Sequence, residues 1–353
     1  MLALDQYRPL GRSGLRVSPL SLGTMTFGSD WGWGADADEA RRIFDLYVDR
    51  GGNLIDTAVN YTDGTAERMV GAFVKGRRER IVLATKFTMA RDPGNPNSGG
   101  NHRLNLVRSV EQSLRQLDTD RIDLLYLHGW DGTTAPEEVM RGLDDLVRQG
   151  KVVYLGICNT PAWRVAQMQT LAEWRGWAPL VALQIEYSLV QRTVEHELLP
   201  MARAMGLGVL PWSPLGGGVL SGKYGRADVA HSDGPEVAAS RKGVIAATGH
   251  MTEAALALAE IVRGVAAECG ATPAQVALAW TLLHPAVAAP IVGARTLAQA
   301  EENLGALDVA LSPDQRARLD AASAPNPIFP AAFLDRPMVR QLIFGGARVA
   351  GAA

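Results

Sequence analysis

Eight short apolar runs of strand length recur along the chain: PLSLG (19–23), NLID (53–56), IVLATKF (81–87), IDLLYLH (122–128), VVYLGI (152–157), VALQIEY (181–187), GVLPW (208–212) and APIVGA (289–294). Between most of them the apolar residues repeat with helical period, as in ADEARRIFDLYVDRG (37–51), LNLVRSVEQSLRQL (104–117) and PEEVMRGLDDLVRQGK (136–151). Thr272-Pro273-Ala274-Gln275 and Ser312-Pro313-Asp314-Gln315 carry the signature of a helix start, with a hydroxyl at the cap, Pro at the first turn and Gln three residues on. Gly51, Gly150, Gly206 and Gly270 stand where helices should end.

Strands alternating with helices predict parallel pairing through right-handed crossovers. Eight such units predict a (β/α)8 barrel, and 353 residues fit one barrel with insertions. The competing architecture, an open doubly wound sheet, ordinarily carries a Gly-rich fingerprint after its first strand, whereas SLGTMTFG contains no GxGxxG. Three segments lie outside the repeat: residues 7–18 predict a hairpin under the barrel, residues 213–250 a long binding loop or lid, and residues 323–353 a tail packed near the substrate site or an interface. No linker divides the chain, so the expected domain is one barrel over residues 1–353.

Composition narrows the class. A 47% apolar fraction and a net charge of −2 suit a globular protein and argue against nucleic acid or anionic membrane as partners. AALALAEIVRGVAAE is interrupted by Glu260 and Arg263 and reads as an amphipathic helix, not a membrane span. The first residues show no basic segment followed by an apolar one, and two cysteines make no disulfide framework, so the expected compartment is the cytoplasm.

The mouth of a (β/α)8 barrel, at the C-terminal ends of its strands, is where chemistry is expected. There the strands place Asp56, Lys86, His128, Asn159 and Gln184, with Tyr61 in the loop after the first of them. Each has a plain structural explanation, as turn residue, snorkelling cation or core histidine. Together they make chemical sense. An ammonium near a phenol favours the phenolate and lowers its pKa, a carboxylate supplies the buried ammonium's counter-charge, and a neutral imidazole orients the oxygen that the phenol protonates. The set is a tuned general acid for a carbonyl oxygen. The six histidines show no metal spacing, since HELLP (196–200) has Pro200 where HExxH needs its second His, and no GxSxG elbow is present.

NLIDTAVNY, LATKF and LYLHGWD resemble the Asp, Tyr, Lys and His motifs of the aldo-keto reductases, NADPH-dependent (β/α)8 oxidoreductases, and the similarity runs from LGTMTFG to IVGARTLAQAEENLGAL. The resemblance implies that Tyr61 is the proton donor, that Lys86 and Asp56 tune it, and that His128 orients the substrate carbonyl. It implies a nicotinamide held by Asn159 and Gln184 and stacked on Trp212, with Thr24 and Met25 beside it. It places the diphosphate near Ser213, Leu215 and Gly217, whose glycines would present N–H groups to an anion. Arg295 and Gln299 fall near the adenosine 2′-phosphate, and Glu302 and Asn303 near adenine. Two positions depart from the family pattern: Cys158 replaces the usual Ser, and Gly293 stands where some members have Lys. Trp31 and Trp33 read as an apolar wall for a small carbonyl or alcohol substrate. Two other readings share the fold: a non-catalytic NADPH-binding regulator resembling the potassium-channel beta subunits, and a lyase using Lys86 as an amine. Oligomer formation is compatible with the sequence.

Overall fold

The computed structural model describes residues 2–230 and 249–347. The central sheet has eight parallel strands in the order β10-β3-β4-β5-β6-β7-β8-β9. They are β3 (Ser21–Gly23), β4 (Leu54–Asp56), β5 (Val82–Phe87), β6 (Ile122–Leu127), β7 (Val152–Cys158), β8 (Leu180–Glu186), β9 (Gly208–Trp212) and β10 (Ile291–Gly293). All eight apolar runs are thus strands, and helices follow them in alternation. The seam between β9 and β10 is closed by Val209, whose N–H donates to the Ala286 carbonyl at 2.9 Å and whose carbonyl accepts from Ala288 at 2.8 Å. The arrangement is a (β/α)8 barrel, not an open sheet.

Successive side chains alternate across a strand, so residues two apart share a face. One set, including Leu54, Ala84, Leu124, Tyr126, Cys158, Ala182, Leu210 and Ile291, packs together inside the barrel. The intervening residues, such as Leu83, Leu125, Leu155, Leu183 and Val209, pack outward against the helices. Gly156 of β7 makes room for Tyr126, since a Cβ there would lie 2.3 Å from its ring. The bottom is plugged by the hairpin of β1 (Arg8–Pro9) and β2 (Arg16–Val17), whose buried Leu10 and Val17 join the interior cluster.

Both Pro-initiated helices, Pro273–Leu282 and Pro313–Ala322, start in complete capping boxes at Thr272 and Ser312. The four helix-ending glycines all adopt positive φ, from 62° to 92°. Among the described residues no helix is long and apolar enough to cross a membrane. Among the described tail residues, 323–347, none lines the cavity at the barrel mouth. The tail is pinned at its start instead, where Arg192 Nη1 donates to the Asp320 carbonyl and to Ser323 Oγ, both at 2.8 Å. Beyond that it exposes Phe329, Phe333, Met338, Leu342 and Ile343. Residues 231–248 and 348–353 of the predicted loop and tail lie outside the described residues.

Behind β5, on the helix side, Glu67 is fully buried and accepts a 2.6 Å hydrogen bond from Thr85 Oγ1. Burial, opposed by hydrogen bonds from Thr85 and Ser113, pushes its carboxyl up to about 7 from 4.5. The folded protein therefore keeps a proton that the unfolded chain has lost, and stability falls as pH rises from 4.5 to about 7. Glu67→Gln should be near neutral below pH 5 and stabilising above pH 7, by up to ~3 kcal/mol. Thermal melts at pH 5 and pH 8 check it, and an unchanged pH slope would refute it.

Candidate active site

Asp56 ends β4, and the chain continues along the barrel rim, where Thr57 N donates to the Ala84 carbonyl and Val59 N to the Lys86 carbonyl. A tight turn at Tyr61–Gly64 follows, with Thr62 and Asp63 at left-handed φ of 45° and 53°. Thr62 Oγ1 fixes that turn by donating to the Phe27 carbonyl at 2.8 Å and accepting from Ala66 N at 3.0 Å. The result returns Tyr61 over the mouth beside Lys86.

Lys86 Nζ is buried and lies 2.5 Å from Asp56 Oδ1, 2.8 Å from the Thr57 carbonyl and 3.2 Å from Tyr61 Oη, so its three donors have three partners. The other Asp56 oxygen accepts from Gln184 Nε2 at 2.8 Å. Burial works against the ammonium, but Asp56 and Tyr61 outweigh it and hold the Lys86 pKa above the ordinary lysine value. His128 stands across from Tyr61, ring centroids 5.9 Å apart and planes at 75°. Burial, then the Lys86 charge, lowers its pKa to about 3, so the imidazole is neutral at working pH.

The phenol corrects one expectation. Lys86 does lower the Tyr61 pKa, but burial raises it more and Asp56 adds to the rise, so the net shift is upward. Tyr61 is a phenol that keeps its proton, in place of one poised to lose it.

A cavity of about 680 Å³ runs across the mouth. Its wall contains Asp56, Tyr61, His128, Asn159, Gln184, Trp212, Thr24, Met25, Trp31, Ser213, Leu215, Gly217, Arg295, Gln299, Glu302 and Asn303. Lys86 sits beneath the wall, and Trp33 stands behind Trp31 at 5.8 Å between centroids. Trp31 meets the Tyr61 ring edge-on at 6.5 Å. Asn159, at φ 44°, donates to the His128 carbonyl and accepts from Trp212 Nε1, both at 2.9 Å, which fixes the indole.

The glycine turn differs from its expected form. Gly216 N donates to the Ser213 carbonyl, Gly217 N to Ser213 Oγ and Gly218 N to the Leu215 carbonyl. These three N–H groups are used inside the turn, so the glycines offer close approach in place of free donors. Ser221 and Lys223, which reasoning from the sequence passed over, line the same cavity, as does Asn60 next to Tyr61. SGKY was visible, but only the fold shows that its lysine turns back to the mouth. At the far end, Thr296 Oγ1 caps Gln299 N and Gln299 Oε1 accepts from Arg295 N at 3.0 Å, while Glu39 accepts from Leu297 N at 2.6 Å. Asn303 Nδ2 donates to the Gly293 carbonyl at 3.2 Å.

Residues 19–324 match the family model described as the aldo/keto reductase family. The chain belongs to the aldo/keto reductase family. It is 36% identical over 342 residues to norsolorinic acid reductase of Aspergillus flavus, covering 94% of this chain and 84% of that protein. It is 39% identical over 319 residues to the uncharacterized oxidoreductase YrpG of Bacillus subtilis, covering 87% and 92% respectively. It is 34% identical over 344 residues to the aryl-alcohol dehydrogenase [NADP(+)] of Phanerodontia chrysosporium, covering 93% and 88%. This aldo-keto reductase is accordingly an oxidoreductase of the carbonyl–alcohol couple, and nothing among these relatives favours the regulatory-subunit or lyase reading.

Proposed function

We propose that this aldo-keto reductase is an NADP(H)-dependent enzyme that interconverts aromatic aldehydes or ketones and their alcohols, with Tyr61 as general acid and base. The observation that carries the reading is the Tyr61 hydroxyl in the cavity wall, 3.2 Å from a buried Lys86 ammonium and facing a neutral imidazole. Such a hydroxyl can deliver a proton to a carbonyl oxygen, and a neutral His128 can hydrogen-bond the same oxygen without competing for that proton.

The donor set suits a dinucleotide. Side-chain amides at Asn159 and Gln184 match a carboxamide, the Trp212 indole offers a flat face, and Lys223 and Arg295 provide cations in the same cavity. When bound, NADPH supplies the hydride, and the chain's own groups orient, exclude water and move the proton. Trp31 gives the substrate end an aromatic wall, and the name of the aryl-alcohol dehydrogenase relative favours an aromatic carbonyl. NADPH oxidation followed at its absorbance band with aromatic aldehydes, simple aliphatic aldehydes and sugars tests the proposal, and NADPH binding without turnover across the panel would overturn it.

With Gly293 in place of a lysine, Arg295 is the guanidinium left to meet a 2′-phosphate. A charge-assisted hydrogen bond of this kind is worth about 1.5–3 kcal/mol. Arg295→Ala should therefore raise KM for NADPH by ~10- to 100-fold and leave KM for NADH unchanged. Equal effects on both cofactors would remove Arg295 from that role.

A further inference from the structure

We propose that Thr88 and Asn101 are a positioning pair that holds His128 against Tyr61. The inference rests on the functional reading above. Neither residue lines the cavity, and both are buried. Thr88 follows β5 two residues after Lys86, and its hydroxyl bridges to the end of β6. Thr88 Oγ1 accepts from His128 N at 3.1 Å and donates to Asn101 Oδ1 at 2.8 Å. Asn101 Nδ2 donates to the Gly129 carbonyl at 3.1 Å, and Asn101 N to Asp131 Oδ2 at 2.7 Å. The residue carrying the general acid's neighbour is thus gripped at its own N–H and, one residue on, at a carbonyl. The same hydroxyl ties the Lys86 strand to the His128 strand, so the two groups flanking Tyr61 move as one body.

Backbone conformation supplies independent support. Thr88 has φ of 99°, a region that β-branched residues avoid. Its carbonyl is held there by Gly100 N at 2.7 Å and Asn105 Nδ2 at 3.4 Å. Glycine would adopt this φ without strain, so fastening the loop alone does not call for threonine. What threonine adds is the hydroxyl between His128 N and Asn101. Strain maintained for a specific contact is a mark of functional positioning.

The test compares Thr88→Ser, which keeps the hydroxyl, with Thr88→Gly, which removes it and relieves φ. Thr88→Gly should melt no lower than the wild type yet lose ~10- to 100-fold in kcat, the scale of a small misplacement of a reacting group, with NADPH affinity unchanged. Thr88→Ser should restore kcat. The His128 imidazole resonance, assigned by its loss in His128→Gln, should shift in Thr88→Gly and not in Thr88→Ser. Should Thr88→Gly fail to fold, Asn101→Asp, which keeps the acceptor for Thr88 and loses the donor to Gly129, should move the same resonance. A Thr88→Gly protein with wild-type kcat and an unmoved resonance overturns the positioning role. A wild type that oxidises no NADPH overturns the proposed function instead, and the resonance comparison still decides the positioning role.

Discussion

Tyr61→Phe is expected to lower kcat for aldehyde reduction by about 10²- to 10⁴-fold, the contribution of a positioned general acid, with NADPH affinity unchanged. The substitution removes one oxygen. The ring stays in its edge-on contacts with Trp31 and His128, and Lys86 Nζ keeps Asp56 Oδ1 and the Thr57 carbonyl. The pocket therefore survives, and any loss of rate belongs to the proton. With Tyr61 as the proposed general acid, its raised pKa should set the pH dependence. Burial and Asp56 outweigh Lys86, so the phenol stays protonated past its ordinary value of 10.0. Reduction, which consumes that proton, should hold its rate into alkaline pH. Alcohol oxidation needs the deprotonated oxygen to accept a proton, and its rate should climb as pH rises toward that pKa. Rate profiles in both directions check this, and a Tyr61→Phe enzyme with the wild-type oxidation profile would remove Tyr61 from the reaction.

The features legible in the sequence were those with a local signature. Strand-length apolar runs placed Asp56, Lys86, His128 and Gln184 toward the ends of their strands, and the barrel brought them together because parallel strands all end at one mouth. Thr272 and Ser312 announced their helices because a cap needs only four residues. Contacts that depend on the fold as a whole were not legible. That Ser213 consumes the Gly217 N–H depends on a turn with φ of 51° at Ser213, and the run of glycines alone suggested an anion cradle. The direction of the Tyr61 shift is a balance of burial against one charge, and burial is a property of the assembled site. The Thr88–Asn101 bridge joins two loops through side chains that form no motif.

Breaking the Lys86–Asp56 pair should separate stability from activity more sharply than any other change in this protein. Lys86→Met leaves the Asp56 carboxylate, 2% exposed, with Gln184 Nε2 as its remaining side-chain donor. Asp56→Asn removes the counter-charge and leaves a buried ammonium with neutral acceptors alone. Removing one member of a buried pair strands the other, and each single variant should lose about 3–5 kcal/mol. The Lys86 contribution carries no pH dependence near neutrality. Its folded pKa lies above the ordinary value, so the stabilisation is fully present below pH 10.5 and is lost only above it. The double variant Asp56→Asn/Lys86→Met has no charge left to strand, so its stability should return most of the way to wild type, a coupling that denaturant melts of the four proteins measure directly. Its kcat should stay as low as in Lys86→Met, because a neutral thioether cannot supply the ammonium that opposes the rise in the Tyr61 pKa or hydrogen-bond its oxygen. If the two losses in stability simply add, the pair is not a coupled unit. If the double variant also recovers activity, the charge beside Tyr61 plays no part in moving the proton.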